Sequence, residues 1–101
     1  MGRVLGIEEQ VNQVTDHNSV PAPVATAVLE HIVKSIVDDP DAVRIDHSEN
    51  RGKIRLEVRV GEGDLGRVIG RRGRTAQSIR AVVRAAATRD DVDVDVDFED
   101  D

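Results

Sequence analysis

The sequence predicts an α+β fold with the order α-β-β-α-α-β, in which three helices cover one face of a three-stranded mixed sheet. Three observations lead to this prediction. Two segments carry apolar residues at helical spacing, two alternate apolar with charged residues, and a Gly-Arg-Arg-Gly sequence separates two helical segments. The chain has 101 residues, the length of one small domain. It has one phenylalanine and no tryptophan or tyrosine, so its core must be aliphatic.

The N-terminal segment, residues 1–24, is polar and unpatterned and ends in Pro21-Ala22-Pro23. We expect it to be a flexible tail, because nothing in it can bury an apolar face. The folded domain should then occupy residues 25–98, followed by an acidic end at residues 99–101.

The first helix should begin at Ala25, where apolar residues start to recur every three or four positions. It should end at Asp38-Asp39-Pro40, because proline disfavours helical backbone in the residue before it. The apolar stripe of this helix consists of Val28, Leu29, Ile32, Val33, Ile36 and Val37.

Two strands follow, at residues 42–47 and 53–60, joined by a loop of turn-forming residues at 48–52. In the second strand the apolar residues alternate with charged ones, so one face should be buried and the other solvated. The inward residues are Ile54, Leu56, Val58 and Val60.

The C-terminal half should contain two helices and a last strand. Asp64 suits the N-cap of a short helix that ends near Ile69, and a longer helix should cover residues 75–89. Strict alternation of aspartate with apolar residues predicts a half-buried strand at residues 91–98, which a right-handed crossover should place parallel to the second strand. The apolar side of the longer helix consists of Ala76, Ile79, Val82, Val83 and Ala86.

We expect one large apolar residue from each main element to be buried in the core. These residues are Ile32, Ile54, Ile79 and Val94.

Charge is distributed unevenly along the chain. The net charge is −6, yet residues 67–89 contain seven arginines and no acidic residue, whereas residues 90–101 contain eight acidic residues and no basic one. Local potential counts more than net charge over a Debye length of about 8 Å. The arginine-rich segment can therefore attract a polyanion although the whole chain is acidic.

The Gly-Arg-Arg-Gly sequence at positions 70–73 lies within the arginine-rich segment, between two helices. Its glycines allow a tight turn and let backbone N–H groups approach a ligand, while its arginines must point outward. Such a cationic turn suits a phosphate backbone. A turn that merely connects two helices is the alternative interpretation of this sequence alone.

Other kinds of site are disfavoured. Gly61, Gly63 and Gly66 match a dinucleotide-binding pattern, but no acidic residue follows about 20 positions later and the chain is too short for a doubly wound sheet. The chain has no cysteine, its three histidines lie far apart, and its aspartates are spaced too widely along a strand to share a metal ion. We therefore expect no cofactor, no metal and no enzymatic activity.

Localisation follows from what the sequence lacks. No apolar stretch is long enough to span a membrane, and the first residues do not have the pattern of a signal peptide. We expect a cytoplasmic protein.

Residues 29–43 and 64–80 resemble, in order, the KhpA family of small bacterial KH-domain RNA-binding proteins. The likeness covers about residues 26–98 and implies the type II KH fold, whose element order is the one predicted above. It also implies that the loop is the Gly-x-x-Gly clamp of a KH domain, which holds the backbone of about four nucleotides.

The resemblance implies a function and partners as well. It implies binding of single-stranded RNA with low sequence specificity, an RNA-chaperone role, and a larger KH and R3H partner, KhpB, also called Jag or EloR. It further implies a possible homodimer and a link to cell-wall (peptidoglycan) synthesis and cell shape.

The candidate RNA-binding residues combine the loop with its surroundings. We expect a basic surface around the loop, because no acidic residue lies among these arginines in the sequence, and a groove floor made by Ile69 and the apolar rim of strand 53–60. The candidate residues are Gly70, Arg71, Arg72, Gly73, Arg67, Ile69, Arg74 and Arg80, with Arg84 as a further member of the basic surface.

Two other classes of function stay open. The chain could be a protein-interaction module whose partner supplies the RNA contact, with the loop serving dimerisation. It could also be a helix-turn-helix DNA binder with residues 75–89 as recognition helix, although that helix has few side chains that read bases. A comparison of duplex DNA with single-stranded RNA at equal salt would separate the DNA-binding alternative.

Overall fold

The computed structural model describes residues 21–100. Its first helix is formed by the segment with apolar residues at helical spacing. This helix, α1, covers Pro23–Ile36 and begins two residues before the predicted start, because proline at the first helical position is compatible with helical backbone. Residues 1–20, which hold most of the predicted tail, lie outside the described residues.

The sheet contains three strands, β1 at Arg44–Asn50, β2 at Lys53–Val60 and β3 at Asp93–Asp100, in the order β1-β2-β3. β1 pairs with β2 in antiparallel orientation, and β2 pairs with β3 in parallel orientation. The predicted mixed sheet and the parallel position of the last strand are both confirmed. β2 is the central strand, and β3 leaves one edge unpaired.

The loop between β1 and β2 is shorter than predicted. Ser48 and Asn50 pair with Arg55 and Lys53 of β2, so only two residues connect the strands. These two, Arg51 and Gly52, have φ angles of 57° and 82°, as a type I′ hairpin turn requires.

Two further helices complete the fold: α2 at Leu65–Ile69 and α3 at Arg74–Ala87. Short 3₁₀ turns lie at Pro40–Ala42, Arg71–Gly73 and Thr88–Asp90. The last of these turns and the left-handed Asp91, with φ of 58°, delay the final strand by two residues relative to the prediction.

The core is aliphatic, as the composition predicted, and lies between the helices and one face of the sheet. It draws on all three helices, on β2 and on β3. Its members include Ala25, Leu29, Val33, Ile54, Leu56, Val58, Val60, Val68, Ala76, Ile79, Val83, Ala87, Val94 and Val96.

Two expectations about burial are wrong. Ile32 is only half-buried at the margin of the core, and Val82 is 48 % exposed. The buried face of α3 is centred between Ile79 and Val83. Because a helix turns by about 100° per residue, Val82 points to the side of this buried face and reaches solvent.

Asp64 precedes α2, as predicted, but its carboxylate does not cap that helix. It is 2 % exposed and accepts hydrogen bonds of 3.0 Å from the backbone N–H groups of Asp38 and Asp39. Asp38 and Asp39 follow Val37, whose N–H still bonds back into α1, so their own N–H groups take an acceptor from elsewhere in the chain. A buried carboxylate thus joins the end of α1 to the start of α2.

Asp90 makes a similar connection at the other end of α1. Its two carboxylate oxygens accept the N–H groups of Val24 and Ala25 at 3.0 and 2.9 Å. These N–H groups belong to the first helical turn, which has no intrahelical acceptor for them. The start of α1 is therefore fixed to the turn that follows α3.

Within residues 21–100, no helix is long and apolar enough to cross a membrane. The same residues contain no group of three or more potential metal-ligating side chains.

Candidate nucleic-acid interface

The Gly-Arg-Arg-Gly loop connects α2 to α3 through a backbone that only its sequence suits. Gly70 has φ of 76° and ψ of 175°, Arg72 has φ of 56° and Gly73 has φ of 74°. A Cβ atom on Gly70 would lie 2.6 Å from the Cβ and 2.9 Å from the backbone N of Thr75. Gly70 is therefore required both by its φ angle and by the close approach of α3.

Three arginines surround the N-terminus of α3. Arg71 and Arg72 belong to the loop and Arg74 is the first residue of the helix, and all three are exposed. The ion pairs among residues 21–100 involve none of these three side chains. No acidic residue lies in the first turn of α3, so the positive end of its dipole adds to the charge of the arginines.

Arg67 and Ile69 lie on α2, just before the loop. The Arg67 guanidinium is 2.9 Å from the carboxylate of Asp38 and 3.4 Å from that of Asp64, while Ile69 is half-buried against the core. Arg67 thus has acidic partners, one of them from the segment after α1. Its contact with RNA stays a prediction, and such a contact would compete with these pairs.

Arg80 and Arg84 extend from α3 toward the unpaired edge of β3. The Arg80 Nε donates to the carbonyl of Val96 at 2.9 Å, and its guanidinium carbon lies 5.6 Å from the centroid of the Phe98 ring. Arg84 Nη2 donates to the carboxylate of Asp95 at 3.2 Å. The sequence did not reveal these partners, because α3 and β3 come together only in the fold.

A cleft of about 310 Å³ lies between α3 and the edge of β3. It is lined by Arg55, Arg80, Arg84, Asp95, Val96 and Asp97. A second cleft of about 310 Å³ continues it toward the start of β3 and shares Arg84 and Asp95 with it. Together the two clefts form a groove along the edge of β3, which we call the β3 groove.

The β3 groove corrects the expected groove floor. The apolar side chains of strand 53–60 are 0–3 % exposed, because β2 is the central strand and the helices cover that face. They cannot contact a ligand. Of the two edge strands, β3 is the one whose free edge lies beside α3.

Two aspartates of β3 form pairs with basic side chains of β2 and α3. Asp95 lies 3.3 Å from Lys53 Nζ and 3.2 Å from Arg84 Nη2, and Asp97 pairs with Arg55. Partial desolvation acts to raise the pKa of Asp95, but hydrogen bonds and charge from Lys53 and Arg84 prevail and lower the pKa below its ordinary value. Asp95 is therefore ionised at neutral pH, and Lys53 and Arg84 partly neutralise its charge.

Comparisons with known proteins show which family the sequence matches. The family model described as the KH domain of KhpA and KhpB matches residues 26–98. The chain is 56 % identical over 69 residues to "RNA-binding protein KhpA" of Leifsonia xyli subsp. xyli, an alignment that covers 67 % of this chain and 90 % of the relative.

Two further relatives have the same name, "RNA-binding protein KhpA". The one from Streptomyces coelicolor is 54 % identical over 72 residues, covering 66 % of this chain and 90 % of the relative. The one from Mycobacterium bovis is 46 % identical over 66 residues, covering 65 % and 82 %. The aligned part of the chain thus spans most of the length of these relatives.

Proposed function

Because this chain belongs to the KhpA/KhpB KH-domain family, we propose that it is an RNA-binding protein that holds single-stranded RNA at its Gly-Arg-Arg-Gly loop. The observation that carries the proposal is the loop itself. Arg71, Arg72 and Arg74 are exposed and have no acidic partner within residues 21–100, and they surround the positive end of α3. The names of the relatives support RNA as the ligand.

The loop binds the RNA through its phosphates. Its positive φ angles bring the backbone close to a ligand, and the N–H groups at the start of α3 have no intrahelical acceptor. The arginines add charge-assisted hydrogen bonds to phosphate oxygens. Such contacts hold a backbone of about four nucleotides without reading their sequence.

The RNA then runs from the loop along the β3 groove. The contacts of Arg80 with Val96 and of Arg84 with Asp95 show that successive turns of α3 face earlier residues of β3. The loop therefore lies near the C-terminal half of β3. An RNA strand held at the loop has a continuous surface beside it.

The wider role that we propose is that of a cytoplasmic, non-enzymatic RNA chaperone. It acts with a KhpB-like KH and R3H protein in post-transcriptional regulation and cell-envelope homeostasis. The support for this partner is the family description, which covers both KhpA and KhpB. We propose residues 25–98 as the functional unit, since the family match at residues 26–98 lies within them.

Charge reversal at the loop tests the RNA-binding proposal. The double variant Arg71→Asp with Arg72→Asp should fold normally, because both side chains are exposed, and should lose nearly all affinity for single-stranded RNA. Fluorescence anisotropy with a labelled oligonucleotide measures the loss.

The matched control is Arg51→Asp with Arg89→Asp, which changes the net charge equally. Arg89 lies in the turn after α3, and Gly52, next to Arg51, lines a common cleft with Thr88 of that turn, so the control acts at the opposite end of α3 from the loop. It should keep most of the affinity, and the melting temperatures of both variants should stay close to that of the wild type. Equal loss of RNA affinity in both variants would show that binding follows net charge. Unchanged RNA affinity of the loop variant would contradict the assignment of the loop as the RNA-binding site.

A further inference from the structure

Arg80 differs from the loop arginines because its side chain is held in place. Its Nε donates to the Val96 carbonyl at 2.9 Å, and its guanidinium lies over the ring of Phe98, the one phenylalanine of the chain. A hydrogen bond to a neutral carbonyl and a cation–π contact fix the orientation of the guanidinium without cancelling its charge. The guanidinium is thus a fixed planar group in the β3 groove.

The surroundings of Arg80 disfavour a phosphate. The carboxylates of Asp95 and Asp97 line the same cleft, and they pair with the other two arginines there, Arg84 and Arg55. A phosphate placed against Arg80 would bring a negative charge next to both carboxylates. An uncharged flat group would not meet this repulsion, and nucleobases are flat, uncharged and able to stack on a guanidinium plane.

The distance from the loop fits a base of the same RNA. Arg80 is six residues after Arg74 on α3, which corresponds to about 9 Å along the helix axis. This separation lies within the reach of the roughly four nucleotides that a Gly-x-x-Gly loop holds.

We propose that Arg80 and Phe98 form a stacking platform for one nucleobase of the bound RNA, so that Arg80 contacts a base and no phosphate. This inference rests on the proposed function and divides the site into two parts. Phosphates are held at the loop, where the arginines have no acidic partner, and a base stacks in the β3 groove, where the acids reduce the positive potential.

The variant Arg80→Lys tests the platform, because lysine keeps the charge but has no planar group. Affinity for a short single-stranded RNA should fall about ten-fold, within the range measured for loss of one base stack. The slope of log K against log salt should stay unchanged, because no phosphate contact is lost. The control Arg89→Lys, at the far end of α3, should bind as tightly as the wild type.

A second arm uses RNA in which one nucleotide is abasic. When the abasic nucleotide is the one at the platform, wild type and Arg80→Lys should bind equally, because there is no base to stack. Phe98→Leu keeps apolar bulk at the edge of β3 and should show a smaller loss of the same kind. Melting curves of these variants exclude unfolding as the cause.

The outcomes separate this inference from the proposed function. If the wild type binds RNA and Arg80→Lys binds equally well, the platform is wrong and the loop site stands. If Arg80→Lys binds more weakly than the wild type on every abasic RNA as well, the platform proposal is also wrong. If the wild type does not bind RNA at all, the proposed function fails first.

Discussion

Gly70 shows how a single residue sets the shape of the candidate site. With φ of 76° and ψ of 175° it lies in a region of backbone space that is nearly confined to glycine. The same residue makes room for Thr75 in the first turn of α3. The loop conformation and the start of α3 therefore depend on one missing side chain.

Gly70→Ala should reduce the free energy of unfolding and weaken RNA binding together. Gly63→Ala is the matched control, since Gly63 also has a positive φ of 87° but an added Cβ would meet no atom within 4 Å. The control should cost about 1 kcal/mol from backbone strain alone, and Gly70→Ala about 3 kcal/mol or more from strain and the clash. Urea unfolding measures both, and equal costs would refute the proposed close contact.

Two aspartates have hydrogen-bond partners that the sequence does not reveal. The pattern correctly predicted that Asp64 precedes a helix. The carboxylate oxygens of Asp64, however, accept hydrogen bonds from the backbone of Asp38 and Asp39, which are distant in sequence. Asp90 was expected only to be part of an acidic run, but it fixes the start of α1. Local sequence rules describe the nearest backbone donors, whereas these carboxylates accept from donors that only the fold brings near.

At the scale of elements, strands were easier to orient than helices. In β2 every second residue is apolar, so one face of the strand carries all of them, and a shift by one residue would turn them all to solvent. In α3 the apolar residues are numerous and small, and several orientations bury a similar set. This ambiguity is why Val82 was assigned to the core and is in fact exposed.

Alanine substitutions in α3 test its orientation. Ile79→Ala should reduce the free energy of unfolding by about 2–4 kcal/mol, because Ile79 is buried and its truncation leaves a cavity. Val82→Ala, three residues away on the same helix, should change stability by less than about 0.5 kcal/mol because Val82 is exposed. Thermal or urea unfolding decides; a larger effect at Val82 would mean that the helix is rotated.

At the scale of the whole molecule, the element order, the mixed sheet and the aliphatic core were predictable, because apolar periodicity and chain connectivity determine them. The position of the loop was predictable from its glycines. The β3 groove was not, because the sequence shows which strands exist but not that β3 alone offers a free edge beside α3. For the same reason the basic surface is smaller than expected, since Arg67 and Arg84 have acidic partners.

The uneven distribution of charge predicts how salt affects binding. If Arg71, Arg72 and Arg74 contact phosphates, log K should fall linearly with log salt with a slope of about −2, at roughly −0.7 per phosphate on a single strand. Changing Asp93, Asp95 and Asp97 to Asn should raise affinity modestly at low salt and little at high salt, since salt screens the field of exposed acids. Titrations at several salt concentrations measure both effects, and a slope near zero would mean that phosphates are not held.

The position of β3 in the sheet has a consequence for co-translational folding. β2 gains its second neighbour only when β3, which is synthesised more than 30 residues after β2, has left the exit tunnel. Until then the nascent chain exposes an open strand edge and the apolar face that β3 helps to cover, a combination that invites pairing with other chains. At translation rates of about 5–20 residues per second this interval is brief, but any slowing of synthesis between the codons of β2 and those of β3 would prolong it.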